Sequence, residues 1–525
     1  MIARLVTAAM VLSLAVACGD DERSTAVPDD IRAVMDGARY KNATWSLLVR
    51  DVATGETVYD LDADRMSFTG STRKLFSVGL ALDALGADHR IETPVRRVGA
   101  VDPAGVLNGD LVLAGAGDLT FGGRRVDDET VQYTDFDHND ANSLGTAILT
   151  PQDPLDGLNE LAKQVAAAGI RSVTGDVAVD DTLFTPYRVP NGNLLISPIV
   201  VNENMIDLTV TPGATGQPAT IEYRPKTAAF TVGGQVTTNS PADVDLSGSG
   251  RIDCIGSPGC AGEVTGTLPA GYAAPFTGDT AFVGTFRVED PASFARIAFI
   301  EALQRNGVTV AAPMLTPNPA GPHGQGPTVA TYRSAPLSQQ AQLVLKVSLN
   351  LGANLDLSLF GLTKGATTIQ AALAAEREAL IAKFGLDGAT FDFPTNGSGT
   401  PDSRATPQAL VQLLLQMSKS PVAEQFLNAL PVLGENGSLA TSGTDLPGRG
   451  HVFAKPGTTI MPGDDDKTIK LKAQNLAGYI KTRSGRTVAY ALLLNDAGTI
   501  SDIAKDVGAV FEDEAKISSI IYERL

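Results

Sequence analysis

At 525 residues, with 43% hydrophobic and 19% charged side chains, the chain is long enough for more than one core, and two or three globular domains are expected. A formal charge of −18, a pI near 4.7 and the lack of any Lys/Arg block exclude a basic footprint for nucleic acid. The four histidines, at positions 89, 138, 323 and 451, lack ligand spacing, so neither a metal nor a cofactor is expected.

The chain opens with MIARLVTAAMVLSLAVACGDDERS, one basic residue (Arg4) and then an apolar run from Leu5 to Ala17. Crossing a bilayer takes roughly 20 apolar residues, so residues 1–18 read as an export signal rather than a spanning helix. Ala15, Val16 and Ala17 lead into Cys18 in a way that resembles the lipobox of bacterial lipoproteins, although Ala15 stands where those signals usually carry Leu. Lipidation of Cys18, and with it a membrane anchor, is the expectation; ordinary secretion with cleavage nearby is the alternative. Either outcome exports the chain.

Next, TWSLLVRDVATGETVYDLDADR reads as a hairpin, with apolar alternation on both sides of an Ala-Thr-Gly turn. GSTRKLF follows and runs into a helix-forming segment. From there to about residue 330 come short β-rich runs punctuated by Gly, Pro, Asn and Asp, interrupted by one helical segment, PLDGLNELAKQVAAAGI. Among them, Cys254 and Cys260 in CIGSPGC predict a local disulfide in an exported chain, of modest stabilising effect because the loop is short.

The C-terminal third is more helical: LSQQAQLVLKVSLNLGANLDLSLFGL, AALAAEREALIAKFGL and TPQALVQLLLQMSKSP space their apolar residues as helices do. In the last of these Thr406 is the expected N-cap and Pro407 the first helical residue. HVFAKPGTT, AQNLAGYIKT and RTVAYALLLND then read as successive strands, before a closing helix in SDIAKDVGAVFEDEAKISSIIYERL.

Three segments carry chemistry. Ser71 and Lys74 stand three apart, and on a helix they project from one face. A serine hydroxyl becomes a nucleophile when a base takes its proton, and a lysine can be that base when burial or a neighbouring cation depresses its pKa. VSLNLGAN contains Ser348 and Asn350, 277 residues beyond Ser71. HVFAKPGTT contains Lys455, Gly457 and Thr458, with Lys455 a further 107 residues along.

The order Ser-x-x-Lys, Ser-x-Asn, Lys-x-Gly is that of penicillin-binding proteins and class A β-lactamases. LNGDLVLAGAGDLTF, IRSVTGDVAVDDTLF, SPIVVNENMIDLTVTPG, the Asn-Gly-Ser-Gly of residues 396–399 and ALPVLGENGSL narrow the likeness. The chain resembles the low-molecular-mass class C penicillin-binding proteins, D-alanyl-D-alanine carboxypeptidases and endopeptidases of the bacterial cell wall.

That resemblance implies an α+β fold. A discontinuous transpeptidase-like, β-lactamase-like domain with an antiparallel sheet and flanking helices would occupy residues 28–92 and 330–525, with β-rich domains inserted at 93–329. It implies Ser71 as nucleophile, Lys74 as base, Ser348 as proton relay, Asn350 as a holder of the substrate amide and Lys455 as a source of positive potential. The backbone N–H groups of Ser71 and Thr458 would form the oxyanion hole around Gly457, with the Thr458 hydroxyl a donor to the substrate carboxylate. Peptidoglycan stem peptides are the implied substrates and β-lactam antibiotics the implied acylating inhibitors, in the periplasm or cell envelope.

Four departures bear on activity. Pro456 replaces a Thr or Ser of the third motif and removes a carboxylate-binding hydroxyl, on an edge where proline is tolerated. Asn354 stands where the pattern has Glu, and Leu345 where an asparagine precedes Lys346, changes expected to strip polar support from the second motif. The loop between Gly399 and Ser403 is altered, and Asp464, Asp465 and Asp466 lengthen the connection after the third motif. The competing readings are a catalytically weakened peptidoglycan-binding or scaffolding protein of this fold, and a β-lactamase or esterase.

Overall fold

The computed structural model describes residues 25–190, 194–239, 244–250, 252–321, 323–396, 401–463 and 468–525. The export signal with Cys18, residues 397–400 of the altered loop, and Asp464, Asp465 and Asp466 lie outside the described residues.

A five-stranded antiparallel sheet joins the two ends of the chain. Strands β1 (Thr44–Asp51) and β2 (Thr57–Leu61) form the N-terminal hairpin, and β3 (Val452–Pro462), β4 (Ile469–Lys481) and β5 (Thr487–Ile500) come from the far end, in the order β2-β1-β5-β4-β3. Burial along the hairpin's WSLLV run is continuous rather than alternating because both faces of the sheet are covered. Leu47 and Val49 enter one core and Leu48 the other; in β5, Tyr490, Leu492 and Leu494 enter the first, Ala491 and Leu493 the second. A sheet between two helical layers needs apolar residues at both parities.

Helix α1 (Lys74–Leu85) lies in the second layer and is buried nearly all round, from Lys74 through Leu82. A helix apolar on every side belongs inside a protein, not on its rim. α2 (Leu337–Lys346) and α3 (Asn350–Leu362) pack against it. α4 (Pro407–Met417) shares that core, and its N-terminus is as the sequence predicts: Thr406 Oγ1 accepts the Ala409 N–H, with Pro407 first in the helix. The other face of the sheet carries α5 (Gly508–Arg524).

Between α1 and α2 the chain builds a second body. Strands Glu92–Val101, Val106–Ala114 and Thr328–Arg333 lie in a six-stranded sheet, so pairing extends to Glu92 at one end and Arg333 at the other. Two three-stranded sheets accompany it, one of them holding Ala261–Pro269 just after the Cys254–Cys260 disulfide. The expected helical segment is present at Asp156–Ala167, and a second helix, Pro291–Arg305, was not foreseen. Its Phe294, Ile297, Ala298, Phe299 and Ile300 are all buried, leaving no polar face for periodicity to mark.

One buried ion pair ties the helix Ile369–Ala382 to the turn that carries Ser71. Arg73, between Ser71 and Lys74, donates to Glu376 Oε1 at 2.8 Å and again to Oε2, and its guanidinium lies 4.0 Å from the Phe393 ring centroid. Both charged groups are buried, so removing one partner strands the other. Glu376→Ala is therefore expected to cost about 3 kcal/mol or more in a denaturant-unfolding measurement; an unchanged midpoint would show that the pair is not structural.

Candidate active site

Two glycines set the geometry. Gly70 has φ +49°, and a Cβ there would lie 2.7 Å from the Gly457 carbonyl carbon and 2.8 Å from Thr458 N. A Cβ on Gly457 would come within 2.3 Å of Thr69 O and 3.0 Å of Ser71 N. Only glycine at both positions lets strand β3 touch the turn that carries Ser71. Asn475 on β4 fixes the same turn, donating to Phe68 O at 2.9 Å and Thr69 O at 3.0 Å, while Asn495 on β5 accepts the Phe68 N–H at 2.8 Å. Ser71 N and Thr458 N are thereby seated beside one glycine contact.

Ser71 lies in a short 3-10 turn, Gly70–Arg73, and Lys74 is the first residue of α1, so the two are not on a solvated helix end. Lys74 Nζ donates to Ser71 Oγ at 2.6 Å and to Ser348 Oγ at 3.3 Å. Lys74 is 1% exposed, and burial pulls its ammonium down to about 7 against the opposing fields of Asp140 and Asp402. A lysine in that range is a base at neutral pH, within reach of the hydroxyl it would deprotonate.

The second motif occupies the break between α2 and α3. Ser348 takes a left-handed conformation, φ +62°, which costs a non-glycine residue and is held only by its surroundings. Lys346, two residues before, anchors the break by donating to Leu430 O and Asn436 Oδ1, both at 2.5 Å. Asn350 Oδ1 is buried in the cleft wall with no partner among the described residues. The expected loss of polar support is corrected by Asn354, whose side-chain amide donates to Asn350 O at 2.9 Å and to Asn396 O at 3.4 Å and accepts from Tyr187 Oη at Oδ1 at 3.4 Å. Leu345 is fully buried among apolar side chains.

The third motif lies on β3, whose only strand partner among the described residues is β4. Thr458 N points at Gly70, on the open edge, and Pro456 shares its parity, so the proline leaves no gap in the ladder. Lys455 Nζ donates to Pro456 O at 2.9 Å; burial and the nearby Lys74 hold its ammonium well below the usual range, with Asp140 opposing. The Thr458 hydroxyl, expected to face the substrate directly, donates to Gln474 Oε1 at 2.7 Å.

Ser71, Ser348, Asn350, Lys455 and Thr458 line one cleft of about 540 Å³. Asp140 also lines it, delivered by the inserted body, and burial raises its carboxyl against the pull of Lys74. No sequence pattern singled out Asp140, because its partners are 66 residues and more away in the chain. Just behind it, Asp137, His138 and Glu203 place possible metal-ligand atoms within 4.8 Å of one another. Arg124 bonds Asp137 at 2.6 and 2.8 Å and Glu203 at 2.7 Å, His138 meets Asp207 at 2.7 Å, and Arg224 meets Asp207 at 2.8 Å. Burial alone would depress His138, but Asp207 and Glu203 outweigh it and lift the ring to about 10. Three cations thus balance three anions, and the cluster is an ion-pair network rather than a cation cradle. Cys254 and Cys260 are bonded to each other, in the inserted body.

Residues 29–514 match the model of the S13 family, described as D-Ala-D-Ala carboxypeptidase 3. A D-alanyl-D-alanine carboxypeptidase of Actinomadura sp. (strain R39) is 30% identical over 508 residues, covering 92% of this chain and 83% of the relative. Penicillin binding protein 4 of Haemophilus influenzae superposes with a TM-score of 0.67 at 16% identity, over 94% of this chain and 99% of that one. Its complex with a β-lactam superposes at 0.66 and 17% identity, with the same coverage. With three motifs converging on one cleft and a family match over nearly its whole length, the chain belongs to the S13 family of serine D-Ala-D-Ala carboxypeptidases.

Proposed function

We propose that the cleft hydrolyses the D-alanyl-D-alanine bond of peptidoglycan stem peptides through an acyl-enzyme on Ser71, and that β-lactams acylate the same hydroxyl. The observation that carries this is Lys74 Nζ at 2.6 Å from Ser71 Oγ in a site dry enough to bring the ammonium down to about 7. Ser71 Oγ attacks the carbonyl carbon while its proton passes to Lys74. The oxyanion is met by the backbone N–H groups of Ser71 and Thr458, a pair whose members typically contribute about 3 kcal/mol each. Collapse breaks the C–N bond, and Ser348, bonded to Lys74, hands a proton to the departing D-alanine amine. Water then attacks the ester and restores Ser71.

The unpartnered Asn350 Oδ1 is suited to the substrate's amide N–H. Lys455 and Thr458 flank the place of the terminal carboxylate. The intact base-to-nucleophile contact favours catalysis over the weakened scaffolding reading. The envelope is the setting this substrate demands, with Cys18 as the proposed lipid anchor, a point that mass spectrometry of the membrane fraction decides.

Ser71→Ala and Lys74→Ala are expected to abolish labelling by a fluorescent penicillin with little change in melting temperature; persistent labelling of the Ser71 variant would place the nucleophile elsewhere. Because only the neutral amine accepts a proton, the acylation rate should climb about tenfold per pH unit below a midpoint near 7 and level off above it. A midpoint near 10 would mean that Lys74 is not the base. Pro456→Thr is expected to lower KM several-fold on carboxylate-ended peptides, and an unchanged KM would remove the missing hydroxyl from the account. Incubation with purified muropeptides separates terminal trimming from cross-link cleavage, since only the latter converts dimers to monomers.

A further inference from the structure

Behind the cleft wall, on the face of the sheet that carries α5, lies a buried acid that the mechanism above leaves unused. Glu514, on α5, is fully buried, and Gln474, on β4 directly opposite Thr458, is buried too. Thr458 Oγ1 lies 2.7 Å from Gln474 Oε1, and Gln474 Nε2 lies 3.2 Å from Glu514 Oε2, while Glu514 Oε1 has no partner among the described residues. The three side chains therefore connect the cleft to the interior of the sheet's second face in an unbroken line.

Around Glu514 the titratable groups are its neighbour Asp513, Tyr40 from the turn Ala38–Tyr40, and Tyr490 from β5. No cation pairs with it among the described residues. Burial, reinforced by Asp513 and opposed by the Gln474 amide, pushes its carboxyl well up, so it is a neutral acid with an O–H to donate.

A neutral acid changes what the line can do. With the Gln474 nitrogen toward Glu514, the acid's own O–H is left buried without an acceptor, and the Thr458 proton is spent on the amide oxygen. A half-turn of the amide exchanges its oxygen and nitrogen without moving any other atom. Glu514 then donates to Gln474 Oε1, Gln474 Nε2 donates to Thr458 Oγ1, and the Thr458 hydroxyl is free to donate into the cleft. An arriving carboxylate, which can only accept, draws the line in that direction.

We propose that Thr458, Gln474 and Glu514 form a positioning relay for the substrate's C-terminal carboxylate, with Glu514 as the terminal donor that turns the Thr458 hydroxyl toward the substrate. The relay rests on the reading of Thr458 as a carboxylate-facing residue given above. It gives the third motif a hydroxyl donor backed from inside, at a site where Pro456 supplies none.

The test compares a D-Ala-D-Ala-ended tripeptide with its C-terminal carboxamide, using the full chain and Glu514→Gln, Glu514→Met and Gln474→Met. Glu514→Gln keeps a neutral donor and is expected to hold KM for the carboxylate peptide within about twofold. Glu514→Met and Gln474→Met are expected to raise that KM about tenfold, the scale of one hydrogen bond to a charged group, with kcat and the carboxamide kinetics little changed. Equal impairment of Glu514→Gln and Glu514→Met, or equal loss on both substrates, overturns the relay. Failure of both methionine variants to fold while Glu514→Gln is normal assigns the line to stability and overturns it as well. Penicillin acylation of the unaltered chain is measured alongside: its absence would sink the acyl-enzyme reading itself, whereas normal acylation with no carboxylate discrimination sinks only the relay.

Discussion

The site depends on keeping one ammonium out of water. Lys74 begins a helix that is apolar on nearly every side, and its nitrogen finds two hydroxyls rather than a carboxylate at bonding distance. A carboxylate in contact would stabilise the charged form and hold the lysine as a cation. Asp140 sits in the same cleft without a direct bond to Lys74 among the described residues, close enough to temper the depression and too far to cancel it. The second lysine, Lys455, shares the same dry volume, and burial together with the Lys74 ammonium holds it well below its usual range. Basicity at neutral pH is thus a property of the packing of α1, not of the lysine alone.

That packing is assembled from distant parts. The N-terminal hairpin and three C-terminal strands make one sheet; the turn that carries Ser71 is clamped to it by Asn475 and Asn495 and approached by β3 through paired glycines. The inserted body contributes Asp140, held in place by the Arg124, His138 and Glu203 network immediately behind it. Balanced buried charges of this kind are costly to break and leave little freedom for the segment they hold. The insertion is therefore part of the cleft wall rather than an appendage.

The three motifs that meet in the cleft were legible in the sequence because their residue types and order are specific. The capped helix at Thr406, the three C-terminal strands and the local cysteine pair were legible too, since each is written in neighbouring residues. What could not be read is what depends on meetings across the fold. Helix Pro291–Arg305 lacks a polar face, so its periodicity is silent. Asp140 and the Gln474–Glu514 pair are ordinary polar residues until topology sets them beside the cleft. Asn354 looked like a loss of support when judged against a family pattern, yet its amide bonds across to Asn396 and back to Asn350. An amide carries both a donor and an acceptor, so it can bridge two backbone carbonyls and still receive a phenol where a carboxylate could only accept.

Pro456 shows the same separation between motif and physics. Read as a letter, it breaks the third motif; read on an edge strand, it removes an N–H that β4 never used and a hydroxyl that the cleft would have used. The backbone consequence is small, since Gly457 still approaches Ser71 and Thr458 still offers its N–H beside it. The recognition consequence falls on the next hydroxyl of the same parity, Thr458, whose proton is contested between Gln474 and the substrate. Loss of one donor thus makes the orientation of the other decisive, and that orientation is settled at the far end of the line, by the buried acid on α5.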